Sequence, residues 1–169
     1  GHLVLTTLHT LNVVETITRI ISFFPPHQQQ QIRLLLAGTL KAIVCQRLVP
    51  RADMPGRVPA CEVMIGTGAV RDCIVQPDKT ANIPELIEMG HIQYGMQTFD
   101  QSIMRHYKNG LISFEDAMAN ATNPDDFDLR LKGISGTSDR FGDDPSGQGT
   151  EQAKPKSQVQ TLGAGFTKF

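Results

Sequence analysis

The chain has no tryptophan, only two tyrosines and three cysteines in 169 residues, and no long apolar run. Each scarcity excludes something. A helix needs roughly 20 consecutive apolar residues to cross a bilayer, and no stretch approaches that. Cys45, Cys61 and Cys73 are odd in number and form no C-x-x-C pair, which argues against a disulfide framework and a zinc site. They lie in apolar runs, as reduced cysteines of a cytosolic protein do. Lys and Arg total 16 against 17 Asp and Glu, a net charge of −1 with no block of like charge. No global pull toward nucleic acid or an anionic membrane follows. The phosphate-cradling pattern G-x-x-x-x-G-K-S/T is missing, and no strand closes on paired acids that could hold magnesium and position water. No Ser-His-Asp or Cys-His arrangement is defensible.

What is present divides into blocks. Leu3 to Leu8 reads as a strand apolar on both faces, the pattern of a central strand in a covered parallel sheet. Such a strand needs a neighbour on each side, so the chain is expected to be the back part of a longer protein. Asn12 with Glu15 forms an N-cap and capping-box pair, followed by the helical stripe Val14, Ile17, Ile20, Ile21. Pro25 and Pro26 stop that helix. A second helix is expected over about 27–44, buried on much of its circumference. Strands are expected at 46–50 and 57–65, joined by a turn holding Asp53, Pro55 and Gly56 as an antiparallel hairpin at the sheet edge.

From about residue 67 the pattern changes to short capped helices. Thr67 and Thr80 are expected caps, and Thr98 can cap the helix of Phe99, Ile103 and Tyr107. Ser113 with Asp116 and Asn123 with Pro124 open two more. From Ser135 onward the chain is rich in Gly, Ser, Gln, Asp and Pro without apolar periodicity, and disorder is expected. The expected domains are thus 1–66, an α/β sheet unit; 67–133, a small helical bundle; and 134–169, a tail.

Among candidate functional residues, His9 falls at the carboxyl end of the first strand, where open α/β sheets bind ligands. An imidazole there can hydrogen-bond a terminal phosphate, or it can simply serve a turn backbone. His2 lies seven residues earlier, about 23 Å away along a regular strand, so the two cannot share one ligand. His2 is read either as serving the far end of the sheet, toward a neighbouring subunit, or as a packed or surface histidine. Arg71 is expected to point outward from a short helix whose Val70, Cys73 and Ile74 face inward. Arg19 and Arg47 sit in apolar runs and need partners for their donors, which favours structural ion pairing. His27, His91 and His106 have no ligand-spaced neighbours.

Several ordered motifs carry a family resemblance. His2-Leu3-Val4 with Thr7-Leu8-His9-Thr10 resembles the histidine box of the secretion-type hexameric ATPases. Thr16 to Ile21 with Phe24-Pro25, Gln46 to Pro50, Glu62 to Ile65, Ala69 to Ile74 and Gly95-Met96-Gln97-Thr98 follow in order. Together, over about residues 1–133, they resemble the C-terminal part of a type IV pilus twitching-motility (PilT-like) retraction ATPase.

The resemblance implies the C-terminal half of a RecA-like P-loop ATPase core, mostly parallel sheet with an antiparallel edge hairpin, followed by a helical C-terminal domain. It implies a cytoplasmic homohexamer that hydrolyses ATP with magnesium (Mg), both bound mainly by upstream parts. It also implies an inner-membrane pilus platform protein as partner, membrane association through partners only, and no nucleic acid. His9 would be the catalytic-site residue that senses phosphate, with His2 a second box residue. Ala69-Val70-Arg71-Asp72-Cys73-Ile74 resembles the family's Ala-Ile-Arg-Asn-Leu-Ile motif, which places retraction output at Arg71. It departs at Val70, Asp72 and Cys73, which leaves room for an accessory or extension paralogue. Without Walker A and Walker B the isolated chain is expected to be inactive. The reading from another class is a non-catalytic interaction module docking through 67–133.

Overall fold

The structure, a computed structural model, describes residues 2–133. The expected tail over 134–169 lies outside the described residues. Residues 2–10 form neither helix nor strand, and Leu3, Val4 and Leu5 are 78–88% exposed. The strand expected at Leu3 to Leu8 is therefore not formed. Backbone groups in a strand need a ladder partner, and no strand among the described residues lies beside it.

Helix α1 (Val13–Ser22) follows, its start set by the Asn12 side chain accepting from the Glu15 amide at 2.9 Å. Val13, Thr16, Ile17 and Ile21 are its buried residues. Helix α2 (Pro26–Thr39) begins with Pro26 in its first turn, where the missing N–H costs nothing. It ends five residues short of the expected 44, and Ile43 and Val44 belong to the next strand. Their β-branched side chains suit a ladder better than a helix end weakened by Gly38. Only Ala37 of α2 is fully buried, and Leu34 and Leu35 are more than half exposed. This too corrects the expected burial.

Strands β1 (Ala42–Pro50) and β2 (Arg57–Ile65) form the hairpin, antiparallel from Ala42 opposite Ile65 to Pro50 opposite Arg57. They are the only sheet among the described residues, so the parallel portion expected around Leu3 to Leu8 is not formed there. The turn takes the expected shape: Gly56 has φ 129°, a conformation suited to glycine, and Arg51 pairs with Asp53. Alternation along β2 buries Val58, Ala60, Glu62 and Met64 on one face.

Helix α3 (Gly68–Val75) is capped by Thr67 and buries Val70, Cys73 and Ile74, as the pattern predicts. Thr80 does not cap a helix; it is buried inside a 3-10 turn, Pro77–Asn82. There its hydroxyl donates to the Cys73 carbonyl at 3.1 Å and accepts from Arg33 at 3.0 Å. Tertiary partners took this side chain away from its local cap. Helices α4 (Ile83–Met89), α5 (His91–Tyr94), α6 (Phe99–Lys108), α7 (Phe114–Asn120) and α8 (Pro124–Leu131) complete the block.

Gly95-Met96-Gln97-Thr98 is a turn with Gly95 left-handed and Thr98 in a full capping box with Gln101. It also seals a sheet edge, because Gln97 exchanges backbone hydrogen bonds with Val63 at 2.7 and 3.0 Å. One core results. Ile17, Val49 and Met64 pack in the same cluster as Ile74, Ile87, Phe99, Ile103 and Phe127.

Candidate functional site

A cluster of polar contacts surrounds residues 9–16, leading into the start of α1. Arg19, one turn beyond Glu15, reaches back so that its guanidinium donates to the His9 carbonyl at 2.6 Å and to Glu15 Oε1 at 2.8 Å. Glu15 Oε2 accepts from the Leu11 amide at 2.8 Å. Thr16 Oγ1 donates its single proton to the Asn12 carbonyl at 2.8 Å, so the Thr10 hydroxyl is the donor in their 2.7 Å contact. The orphan amides of a helix start need such acceptors. The one at Val13 is met from across the fold: Glu62 Oε2 of β2 accepts from it at 2.8 Å in a buried environment.

Glu62 is 6% exposed. Burial pushes its carboxyl above the usual carboxylate range, and the Val13 amide and Arg47 charge partly offset this. Burial likewise raises the Cys45 thiol, which contacts Thr16 Oγ1 at 3.9 Å. Arg47, expected to be paired with an acid, instead stacks 3.9 Å above the Phe99 ring and donates to the Asn120 carbonyl at 3.1 Å. A guanidinium over an aromatic face gains cation–π attraction where an ion pair is not offered. Arg19 does form its expected ion pair, with Glu15.

A cleft of about 240 Å³ opens beside this region, where the starts of α1, α6 and α8 meet. Four of the five acidic residues that line it serve structural contacts. Asp100 accepts from the Thr122 amide at 2.7 Å, Glu62 serves Val13, and Glu88 and Asp126 both pair with Arg130. Carboxylates near helix N-termini are stabilised by the positive end of the helix dipole. No group of His, Cys, Asp and Glu arranged to hold a metal occurs among the described residues.

His9 presents an exposed side chain, its backbone held by Arg19. His2 is exposed as well. Arg71 lies exposed on α3, with Nε donating to the Gly66 carbonyl at 3.1 Å. Gly66 is itself tightly placed, since a Cβ there would meet the Leu40 carbonyl oxygen at 2.5 Å. No hydrogen bond or ion pair joins any two of His2, His9 and Arg71 among the described residues. Each of the three supplies a single hydrogen-bonding side chain, and among the described residues they do not converge on a common nucleotide pocket. Glu62 escaped sequence reasoning. Its signal was there: a charged residue at an inward position of the alternation Val58, Ala60, Glu62, Met64.

A family model described as Type II/IV secretion system protein matches residues 1–85, just over half of the chain. The chain belongs to that family. Among curated members, it is 39% identical over 132 residues to the type IV pilus ATPase PilU of Pseudomonas aeruginosa, covering 78% of this chain and 34% of the relative. It is 38% identical over 127 residues to the type IV pilus retraction ATPase PilT of the same organism, covering 75% and 36%. A twitching motility protein of Neisseria gonorrhoeae is 37% identical over 123 residues, covering 73% and 32%. The chain thus spans about a third of the length of these relatives. Of solved structures, the pilus retraction motor PilT with bound ADP superimposes with a TM-score of 0.60 at 38% identity, covering 70% of this chain and 32% of that one. The Legionella pneumophila ATPase DotB matches at TM-score 0.53 and 20% identity, covering 74% and 30%, which speaks to the fold alone.

Proposed function

We propose that this chain is the C-terminal part of a hexameric ATP-hydrolysing motor that powers type IV pilus retraction. What supports the reading is the 38% identity to the retraction ATPase PilT over 127 residues, three quarters of this chain. Residues 1–66 would close the ATPase core and 67–133 would form the C-terminal domain, with the hairpin's inner face between them. ATP and magnesium would be held mainly by residues this chain does not contain. His9 would offer a hydrogen bond to the terminal phosphate, from a backbone that Arg19 holds still. Arg71, with its side chain outward and its helix anchored by Val70, Cys73 and Ile74, would pass movement to an adjacent subunit or an inner-membrane platform protein. The protein would work at the cytoplasmic face of that membrane.

The 39% identity to PilU supports a second reading, a pilus ATPase other than the retraction motor. The test is paired. The full protein carrying this chain is purified and assayed for phosphate release, and cells deleted for it are scored for twitching spread. Hydrolysis with loss of twitching fits the retraction motor; hydrolysis with twitching retained favours the second reading. No hydrolysis by the full protein removes both.

A further inference from the structure

The Val13–Glu62 hydrogen bond joins groups 49 residues apart in sequence and is buried. It links two parts that otherwise differ in character. On one side is the start of α1, four residues beyond His9 and tied to it through Arg19 and Glu15. On the other is the inner face of the hairpin, where Arg47 lies on the same face as Glu62 and reaches the Asn120 carbonyl at the end of α7. The hairpin therefore holds the His9 segment with one hand and the helical block with the other. A lone helix-start amide could be satisfied by water or by its own N-cap. Here the acceptor comes from a strand and is 94% removed from solvent, since Glu62 is 6% exposed. Burying a carboxyl group is costly, and stability alone would be served as well by a side chain of the apolar kind around it. What a carboxyl at this place adds is position: a fixed distance between β2 and the first turn of α1.

We infer that Glu62 is a positioning residue, holding the first turn of α1 against the hairpin so that His9 keeps its place. The inference rests on the ATPase reading for its catalytic half and on geometry for the other half.

The experiment uses the full protein carrying this chain, with Glu62→Ala, Glu62→Gln and, as a purely destabilising control, Val58→Ala from the same face of β2. In Glu62→Ala, deuterium uptake of the peptide spanning 10–18 should quicken by about tenfold or more, as expected for a buried amide left without its acceptor. ATP turnover should fall by a similar factor with KM for ATP unchanged, because a misplaced group costs rate more than binding. Glu62→Gln keeps a carbonyl for the Val13 amide and should restore both readouts. Val58→Ala should lower the melting temperature without moving either readout below it. Exchange unchanged in Glu62→Ala, or turnover lost equally in Gln and Val58→Ala, overturns the inference. A wild-type protein without ATPase activity sinks the motor reading and this catalytic half, while the exchange arm still decides the clasp.

Discussion

The His9 segment and the Arg71 helix are held in opposite ways. The first is knitted by polar bonds: Arg19, Glu15, Asn12, Thr16 and the distant Glu62 all fix backbone atoms between residues 9 and 16. The second is held by burial, with Val70 and Ile74 at 0% exposure and Cys73 at 7%, while the Arg71 side chain donates to the Gly66 carbonyl. Directional bonds set the place of a backbone to within a fraction of an ångström. Apolar anchoring sets which way a helix faces and leaves its outer side chains mobile in rotamer. One arrangement suits a group that must meet a small ligand at a defined point. The other suits a side chain that meets a surface.

The comparison can be broken most strongly at the buried anchor. Ile74→Ala should cost about 2–5 kcal/mol of stability, the range for truncating a fully buried large aliphatic side chain. Denaturant melts of the full protein check this, and a loss under about 1 kcal/mol would mean that α3 does not depend on burial. His9→Ala should leave stability nearly unchanged but lower ATP turnover by on the order of 10²-fold, the effect of losing one hydrogen bond made in the transition state. Turnover equal to wild type would reduce His9 to a turn residue.

A pH test comes next and separates Glu62 from the surface carboxylates. Its folded value is raised, so the folded state favours the protonated carboxyl. This contribution to stability is full below the ordinary glutamate value of 4.5 and is lost as pH rises through the raised folded value. Asp53 runs the other way: the Arg51 hydrogen bond lowers it, and its exposed position makes its effect small. Melting temperature followed across this window should therefore decline less steeply in Glu62→Gln than in wild type. Parallel curves would show that Glu62 does not titrate differently on folding.

The smallest change in hydrolysis belongs to Arg71→Ala. Stability should move by no more than about 0.5 kcal/mol, as for an exposed side chain, and hydrolysis should persist. Twitching should fail, because the outward guanidinium is the part proposed to carry output. Loss of hydrolysis together with twitching would place Arg71 in the nucleotide machinery, and loss of neither would leave it a solvated arginine.

The features decided by sequence alone are those whose causes lie within a few residues. Asn12, Thr67, Thr98, Ser113 and Asn123 all cap the helices expected of them, because a cap is satisfied by an amide two or three positions on. The hairpin turn at Asp53 to Gly56 and the strand at 57–65 were legible for the same reason. The family resemblance, carried by short ordered motifs, was legible too.

Tertiary structure decided the rest. Ile43 and Val44 continue a helical period as well as they begin a strand, and only pairing with Met64 and Val63 chooses between them. Thr80 has a cap's chemistry but is claimed by Cys73 and Arg33, which the chain brings to it from other elements. Leu3 to Leu8 has a strand's composition yet no ladder among the described residues, since a strand is a property of its neighbours as much as of itself. Glu62 is the clearest case. Its alternation places it inward, but nothing near it in sequence says that the amide it serves is Val13, because hydrogen bonds across 49 residues exist only once the core has closed.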